Sequence, residues 1–132
     1  MNEPQKIPLL LTKIQAGFPS PADDYIEQNL DLNEYLIKKP TATFFMRVAG
    51  DSMKEAGVFE NDILIVDRSL TASHNSIVVA VINGEYTVKR LHKTKDKIFL
   101  MPENKKYSAI EIKEGMDFEI WGVVTYVIHS AK

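Results

Sequence analysis

Two residues in this sequence have the types, settings and spacing of a nucleophile and its base. Ser52 stands in Ala49-Gly50-Asp51-Ser52-Met53, just after an alternating apolar run. Lys89 stands 37 residues later in Thr87-Val88-Lys89-Arg90-Leu91, inside another strand-like run. A serine hydroxyl needs a base to become a nucleophile, and a lysine can be that base once burial strips its proton. A free lysine titrates near ~10.4, so roughly one in a few thousand is neutral at pH 7. Bringing it to about 7–8 takes a bias of roughly 3–5 kcal/mol against the ammonium, which desolvation can provide. The strand period puts Thr87, Lys89 and Leu91 on one face. If that face is covered, the ammonium loses water without gaining a carboxylate, and Thr87 can orient the amine by a hydrogen bond. Gly50 permits a tight backbone that projects Ser52 and exposes nearby N–H groups, and the amides of Asp51 and Ser52 are the candidates for an oxyanion hole. The chemistry indicated is that of a Ser-Lys protease. Taken singly, each residue has a plainer reading: a serine after Gly-Asp is usually a turn residue, and a strand lysine usually faces solvent.

The elements that must position this pair are mostly strands. From Thr41 onward, Phe44, Met46 and Val48 alternate with Phe45, Arg47 and Ala49. Asp62-Ile63-Leu64-Ile65-Val66-Asp67 is an apolar run bounded by acids, as suits a buried strand. Ser76 to Ile82 is rich in valine and isoleucine. Asn83-Gly84 follows as a hairpin signal, and Glu85 to Leu91 returns as the partner strand. Ile98 to Met101 and Phe118 to His129 supply more strand, the last run long enough to bend at Gly122. Ahead of this β region, residues 1–20 read as an extended arm, since Pro4, Pro8 and Pro19 discourage helix; a short strand near Leu9 to Ile14 fits there. Ser20 then reads as a helix N-cap, with Pro21 at the first position, Asp23 and Asp24 in the first turn, and Tyr25, Ile26, Leu30 and Leu32 giving a partial helical face. Asp31 can cap a second short turn through Glu34-Tyr35-Leu36, and Lys38-Lys39-Pro40 closes the region. The expected fold is mainly β, a small and strongly bent sheet or barrel with a short N-terminal arm and one or two short helices.

Bulk properties bound the function. At 132 residues the chain is one domain with a short arm, long enough for a real core. A net charge of −2 and a pI near 5.9 argue against a large nucleic-acid footprint. There is no cysteine, so disulfide and thiolate chemistry are excluded, which fits a reducing cytoplasm. No apolar run approaches the ~18 residues of a membrane span. Ile7-Pro8-Leu9-Leu10-Leu11 ahead of Ala16-Gly17 mimics a signal peptide, but it is too short, broken by Pro8 and followed by Lys13.

Gly50-Asp51-Ser52-Met53, with Gly57-Val58 and Asp62-Ile63-Leu64-Ile65-Val66-Asp67, resembles the nucleophile region of the LexA/UmuD/phage-repressor peptidases. Thr87-Val88-Lys89-Arg90-Leu91 resembles their lysine region. The resemblance covers the chain from about residue 15 to its end. It implies a LexA/signal-peptidase-like fold and self-cleavage at an Ala-Gly bond, here Ala16-Gly17. Ala16-Gly17-Phe18-Pro19-Ser20-Pro21-Ala22-Asp23-Asp24-Tyr25 looks like the cleavage region of the UmuD branch of that family. Gly17 suits this, because it lets backbone approach a nucleophile closely. Repressors of the family carry a DNA-binding domain before the cleavage site, and the 16 residues preceding Gly17 are too few for one. Signal peptidases share the Ser-Lys chemistry but need a membrane anchor.

The resemblance implies three parts: residues 1–16 as an arm removed by self-cleavage, 17–40 as an extended or helical lead-in, and 41–132 as a β-rich peptidase-like domain. It further implies a cytoplasmic homodimeric precursor, with no cofactor and no metal. Cleavage would be stimulated by a RecA filament on single-stranded DNA. The trimmed form would bind a UmuC-type subunit as the accessory part of an error-prone translesion polymerase, in the response to DNA damage. Two other readings stay open at this point: a dimeric binding module that has lost cleavage, and the C-terminal domain of a LexA-like repressor.

Other residues read plainly. His74, His92 and His129 lack ligand spacing. Lys93, Lys95 and Lys97 with Asp96 form a charged hairpin tip, and Lys105-Lys106 beside Glu103 read as a solvated turn. The long terminal strand with Trp121 and Tyr126 suits either an internal core strand or pairing across a dimer.

Overall fold

The structure, a computed structural model, describes residues 5–11, 13–19, 21–22 and 25–132. The chain divides into two compact units, one up to Lys38 and one spanning Lys39–Lys132. In the first, β1 (Ile7–Leu10) pairs antiparallel with β2 (Ile26–Leu30), in the register Ile7↔Leu30 to Leu10↔Ile26. The expected arm strand is thus present but shifted toward the N-terminus. The expected helical face through Tyr25, Ile26 and Leu30 is not: these residues run extended into β2. Ile26 and Leu30 also fit a period of two. Pairing with β1 gives β2 the backbone partners that a helix would have supplied internally, and the Leu11 amide adds a bond to the Tyr25 carbonyl at 2.7 Å. The helix start expected at Ser20, Asp23 and Asp24 lies outside the described residues. The second expected turn forms as α1 (Leu32–Leu36), with the Asp31 carboxylate accepting from the Asn33 and Glu34 amides at 3.0 and 3.5 Å.

The second unit is built on one antiparallel seven-stranded sheet. Its strands are β3 (Thr43–Arg47), β4 (Ile63–Asp67), β5 (Ile77–Ile82), β6 (Glu85–Lys93), β7 (Ile98–Met101), β8 (Ile110–Ile112) and β9 (Phe118–Ile128). They lie in the order β3-β4-β9-β5-β6-β7-β8. The fold is mainly β, as expected; the short β8 was not legible in the sequence. Asn83 and Gly84 both take positive φ (50° and 85°), the conformation that a two-residue hairpin between β5 and β6 demands. β9 is internal, paired with β4 on one side and β5 on the other. Each ladder is irregular along β9, near Trp121 and near Thr125, and such irregularities bend a strand. Gly122 lies between them, and the Val66 side chain packs against it: a Cβ would fall 2.5 Å from Val66 Cγ1.

Two buried clusters hold the sheet. Val48, Met53, Val58, Leu64, Val66 and Val79 form one; Val78, Ala80, Leu91 and Leu100 form the other. Val78 and Val79 are adjacent on β5 and so face opposite ways. β5 therefore buries both of its faces, which a bent sheet allows and a flat one-sided sheet does not.

One buried charge closes the end of β9. Asp62 is 3% exposed. Its carboxylate accepts from the Phe59 amide at 2.8 Å and bonds the His129 ring at Nδ1. Burial pushes this carboxyl up, but the Phe59 amide and His129 outweigh it and hold the group below the ordinary carboxylate range. A depressed carboxyl contributes stability above its unfolded value and loses it as pH falls through the folded one. His129→Ala is therefore expected to cost about 1 kcal/mol at neutral pH, modest because the ring is half exposed. The difference from the parent shrinks below about pH 4. Urea unfolding at pH 7 and pH 3 measures both.

Candidate active site

Ser52 is placed by a turn whose ends are locked in the core. Gly50 takes φ 85°, turning the chain out of the segment after β3. Met53, 1% exposed, plugs the first cluster directly behind Ser52. The Met53 carbonyl accepts from the Ala56 and Val58 amides at 3.0 and 3.2 Å, closing a short 3₁₀ turn at Lys54–Ala56 that ends in Gly57 at φ 81°. The buried Met53 side chain on one side and the hydrogen-bonded Asp51 carbonyl on the other leave the serine little freedom.

Lys89 comes from the middle of β6, where it lies directly across from Val78. It is 9% exposed, and its neighbours on the same face include Val78 and Leu91, both buried. Its Nζ donates to Ser52 Oγ at 3.0 Å, to Thr87 Oγ1 at 2.8 Å and to the Val88 carbonyl at 3.1 Å. No carboxylate pairs with it among the described residues. Burial alone therefore drives the amine below the ordinary lysine range. A neutral lysine in this position has a lone pair to receive the serine proton, and Thr87 and the Val88 carbonyl stay as acceptors for its two remaining N–H bonds.

An open cleft of about 240 Å³ lies over the pair, lined mostly by apolar residues such as Met46, Leu64, Val79 and Val88, with Arg47 and Tyr86 beside Ser52, Thr87 and Lys89. Tyr86 packs edge-on against Trp121, with ring centroids 5.7 Å apart, and Trp121 meets Phe44 at 5.2 Å. The Arg68 guanidinium covers the Trp121 ring at 4.5 Å. Apolar walls beside a polar dyad exclude water from the amine and suit an extended peptide. Among the described residues there is no cluster of three or more His, Cys, Asp or Glu that could hold a metal ion.

Of the residues singled out in the sequence, Ser52, Thr87 and Lys89 come together. Ala16 and Gly17 belong to the first unit, where they are exposed in an irregular stretch after β1. The backbone around Asp51 brings in residues the sequence did not single out. The loop after β7, read there as a solvated lysine turn, presses Glu103 and Asn104 against the nucleophile turn. The Glu103 amide donates to the Ser52 carbonyl at 2.8 Å, and Asn104 Nδ2 donates to the Asp51 carbonyl at 2.8 Å. Arg90 follows Lys89 on the opposite face of β6 and pairs with the Glu103 carboxylate. Nothing local shows that the buried asparagine between Glu103 and Lys105 reaches the nucleophile turn, since its Asp51 partner is 53 residues away.

The chain is similar to known proteins along most of its length. The profile of the family described as Peptidase S24-like matches residues 8–125. Protein MucA of Salmonella typhimurium is 51% identical over 121 residues, covering 91% of this chain and 82% of MucA. Protein ImpA of Escherichia coli is 46% identical over 134 residues, covering 95% of this chain and 85% of ImpA. The LexA repressor of Shewanella piezotolerans is 39% identical over 133 residues, covering 98% of this chain and 64% of the repressor. A family match across both the nucleophile turn and β6, with relatives of this identity and coverage, establishes that the chain belongs to the Peptidase S24-like family.

Proposed function

We propose that this protein is a self-cleaving serine peptidase that trims its own N-terminal arm at Ala16-Gly17, and that the trimmed chain is the accessory subunit of a translesion DNA polymerase. The observation that carries the reading is the 3.0 Å contact between Ser52 Oγ and a buried Lys89 Nζ with no carboxylate partner among the described residues. Neutral Lys89 takes the Ser52 proton as Oγ attacks the Ala16 carbonyl carbon. The amides of Ser52 and Asp51 hold the resulting oxyanion. The C–N bond then breaks, the Lys89 ammonium returns its proton to the Gly17 nitrogen, and residues 1–16 remain as an acyl-enzyme on Ser52. Water, deprotonated by Lys89, hydrolyses that ester. Thr87 keeps the amine aimed throughout.

In this reading the chain has a removable arm (1–16), a lead-in (17–40) and a peptidase-like domain (41–132), and it acts in the cytoplasm as a homodimer. Tethering the scissile bond to the enzyme gives it a high effective concentration. A RecA filament on single-stranded DNA raises the fraction of chains with the arm in the cleft, a shift of population and not a change of chemistry. The trimmed form then joins a UmuC-type polymerase subunit. The names and reach of the MucA and ImpA relatives support this branch of the family.

The test is intact-mass analysis of the purified chain at neutral pH and in mild alkali, with and without RecA filament. The expected result is loss of residues 1–16 alone, faster in alkali and faster with filament. A chain that stays whole under all four conditions would overturn the reading.

A further inference from the structure

The nucleophile turn is held by a second loop whose geometry bears on catalysis. Asn104 is 4% exposed, and both ends of its amide are committed. Its Oδ1 accepts from the Lys106 amide at 3.0 Å, and its Nδ2 donates to the Asp51 carbonyl at 2.8 Å. Because a backbone N–H can only donate and a carbonyl can only accept, the two ends cannot be exchanged. The same loop holds the next peptide: the Glu103 amide donates to the Ser52 carbonyl at 2.8 Å, and the Glu103 carbonyl accepts from the Glu55 amide at 2.9 Å. Glu103 is in turn tied by Arg90, which also donates to the Asn75 carbonyl at 2.7 Å. The loop's far end reaches back as well, with the Tyr107 hydroxyl donating to Asp51 Oδ1 at 2.7 Å.

The consequence lies in the planarity of the 51–52 peptide. In a trans peptide the carbonyl and the N–H point in opposite directions. The Asp51 carbonyl accepts from Asn104 Nδ2 at 2.8 Å and, more weakly, from the Lys54 amide at 3.2 Å; fixing it toward these donors fixes the Ser52 N–H away from them. That amide has no acceptor among the described residues, as an oxyanion donor in waiting should not. We propose that Asn104 is a positioning residue of the active site: by holding the Asp51 carbonyl it aims the Ser52 amide at the oxyanion. It touches neither the scissile bond nor Lys89. This inference rests on the self-cleavage reading.

The experiment measures the pH–rate profile of self-cleavage for the full-length chain and for Asn104→Ala, each well below its own melting temperature. The expected result is a plateau rate lower by about 10–100-fold, the scale of a small misplacement of catalytic groups. The pH midpoint should not move, because Lys89 keeps its surroundings. If Asn104→Ala melts in the assay range, Asn104→Asp, nearly the same shape but unable to donate when ionised, is read on its plateau alone, since its added charge acts on Lys89. A plateau within twofold of the parent would overturn the proposal while leaving self-cleavage intact. So would a midpoint shift in Asn104→Ala with the plateau unchanged, which would place the residue's effect on the lysine. A parent chain that never cleaves removes the self-cleavage reading and this inference with it, so the two failures are distinguishable.

Discussion

Ser52→Ala is expected to remain whole under every condition that trims the parent, a loss of roughly 10⁴-fold or more in cleavage rate. The size follows from the role: without Oγ there is no acyl-enzyme, and Lys89 has no hydroxyl to activate. Folding should hardly change. Oγ sits at the mouth of the cleft, and its loss removes one hydrogen bond, from Lys89 at 3.0 Å, so stability should stay within about 1 kcal/mol of the parent. Intact mass reads the cleavage and thermal melting reads the fold. Continued cutting at Ala16-Gly17 in a well-folded Ser52→Ala chain would end the proposed mechanism. A tagged Ser52→Ala chain mixed with the parent also reads whether one chain cuts another.

Lys89→Met should abolish cleavage to a similar extent while leaving the protein as stable as the parent or more so. In the parent, cleavage should rise with pH as Lys89 loses its proton, and level off once the amine is neutral. The stability effect has a definite sign. Burial lowers the folded-state value of Lys89 below that of the unfolded chain, so between the two values the unfolded state binds more protons and stability rises with pH. Below the folded value the whole cost of burying the ammonium is present. Methionine keeps the stem of the side chain and removes that cost, with a gain on the order of 1 kcal/mol at neutral pH, offset in part by the acceptors it leaves on Thr87 and Val88. The gain should shrink as pH approaches the ordinary lysine range. Denaturant unfolding of parent and variant at pH 7 and near pH 10 measures the trend. A variant less stable than the parent at pH 7, with the difference unchanged in alkali, would show that Lys89 is comfortable as an ammonium and a poor candidate for a base.

The two expectations separate chemistry from scaffold. In the proposed mechanism Ser52 contributes reactivity at almost no cost in stability. Lys89 is kept buried with no carboxylate partner among the described residues, and the proposed mechanism uses the lowered proton affinity that results. Such a trade is common where a site needs a shifted proton affinity.

Some of this was written in local sequence. The strands β4 to β7 could be read from apolar runs and the Asn83-Gly84 turn, because side-chain period and turn chemistry are local properties. The Asp31 cap was legible for the same reason. Ser52 and Lys89 could be named as a pair from their settings, and strand alternation alone put Thr87 beside Lys89. Tertiary structure decided the rest. Residues 26–30 carry a pattern that suits a helix or a strand, and only pairing with β1 selected the strand. β8 is three residues long, too short to show a period. The seating of β9 between β4 and β5 depends on contacts across half the chain. So does the use of Asn104, whose bond to Asp51 spans 53 residues. Local rules read what a residue does to its own backbone. Which carbonyl a buried amide will meet, and how dry a lysine will be, depends on neighbours that only folding brings within reach.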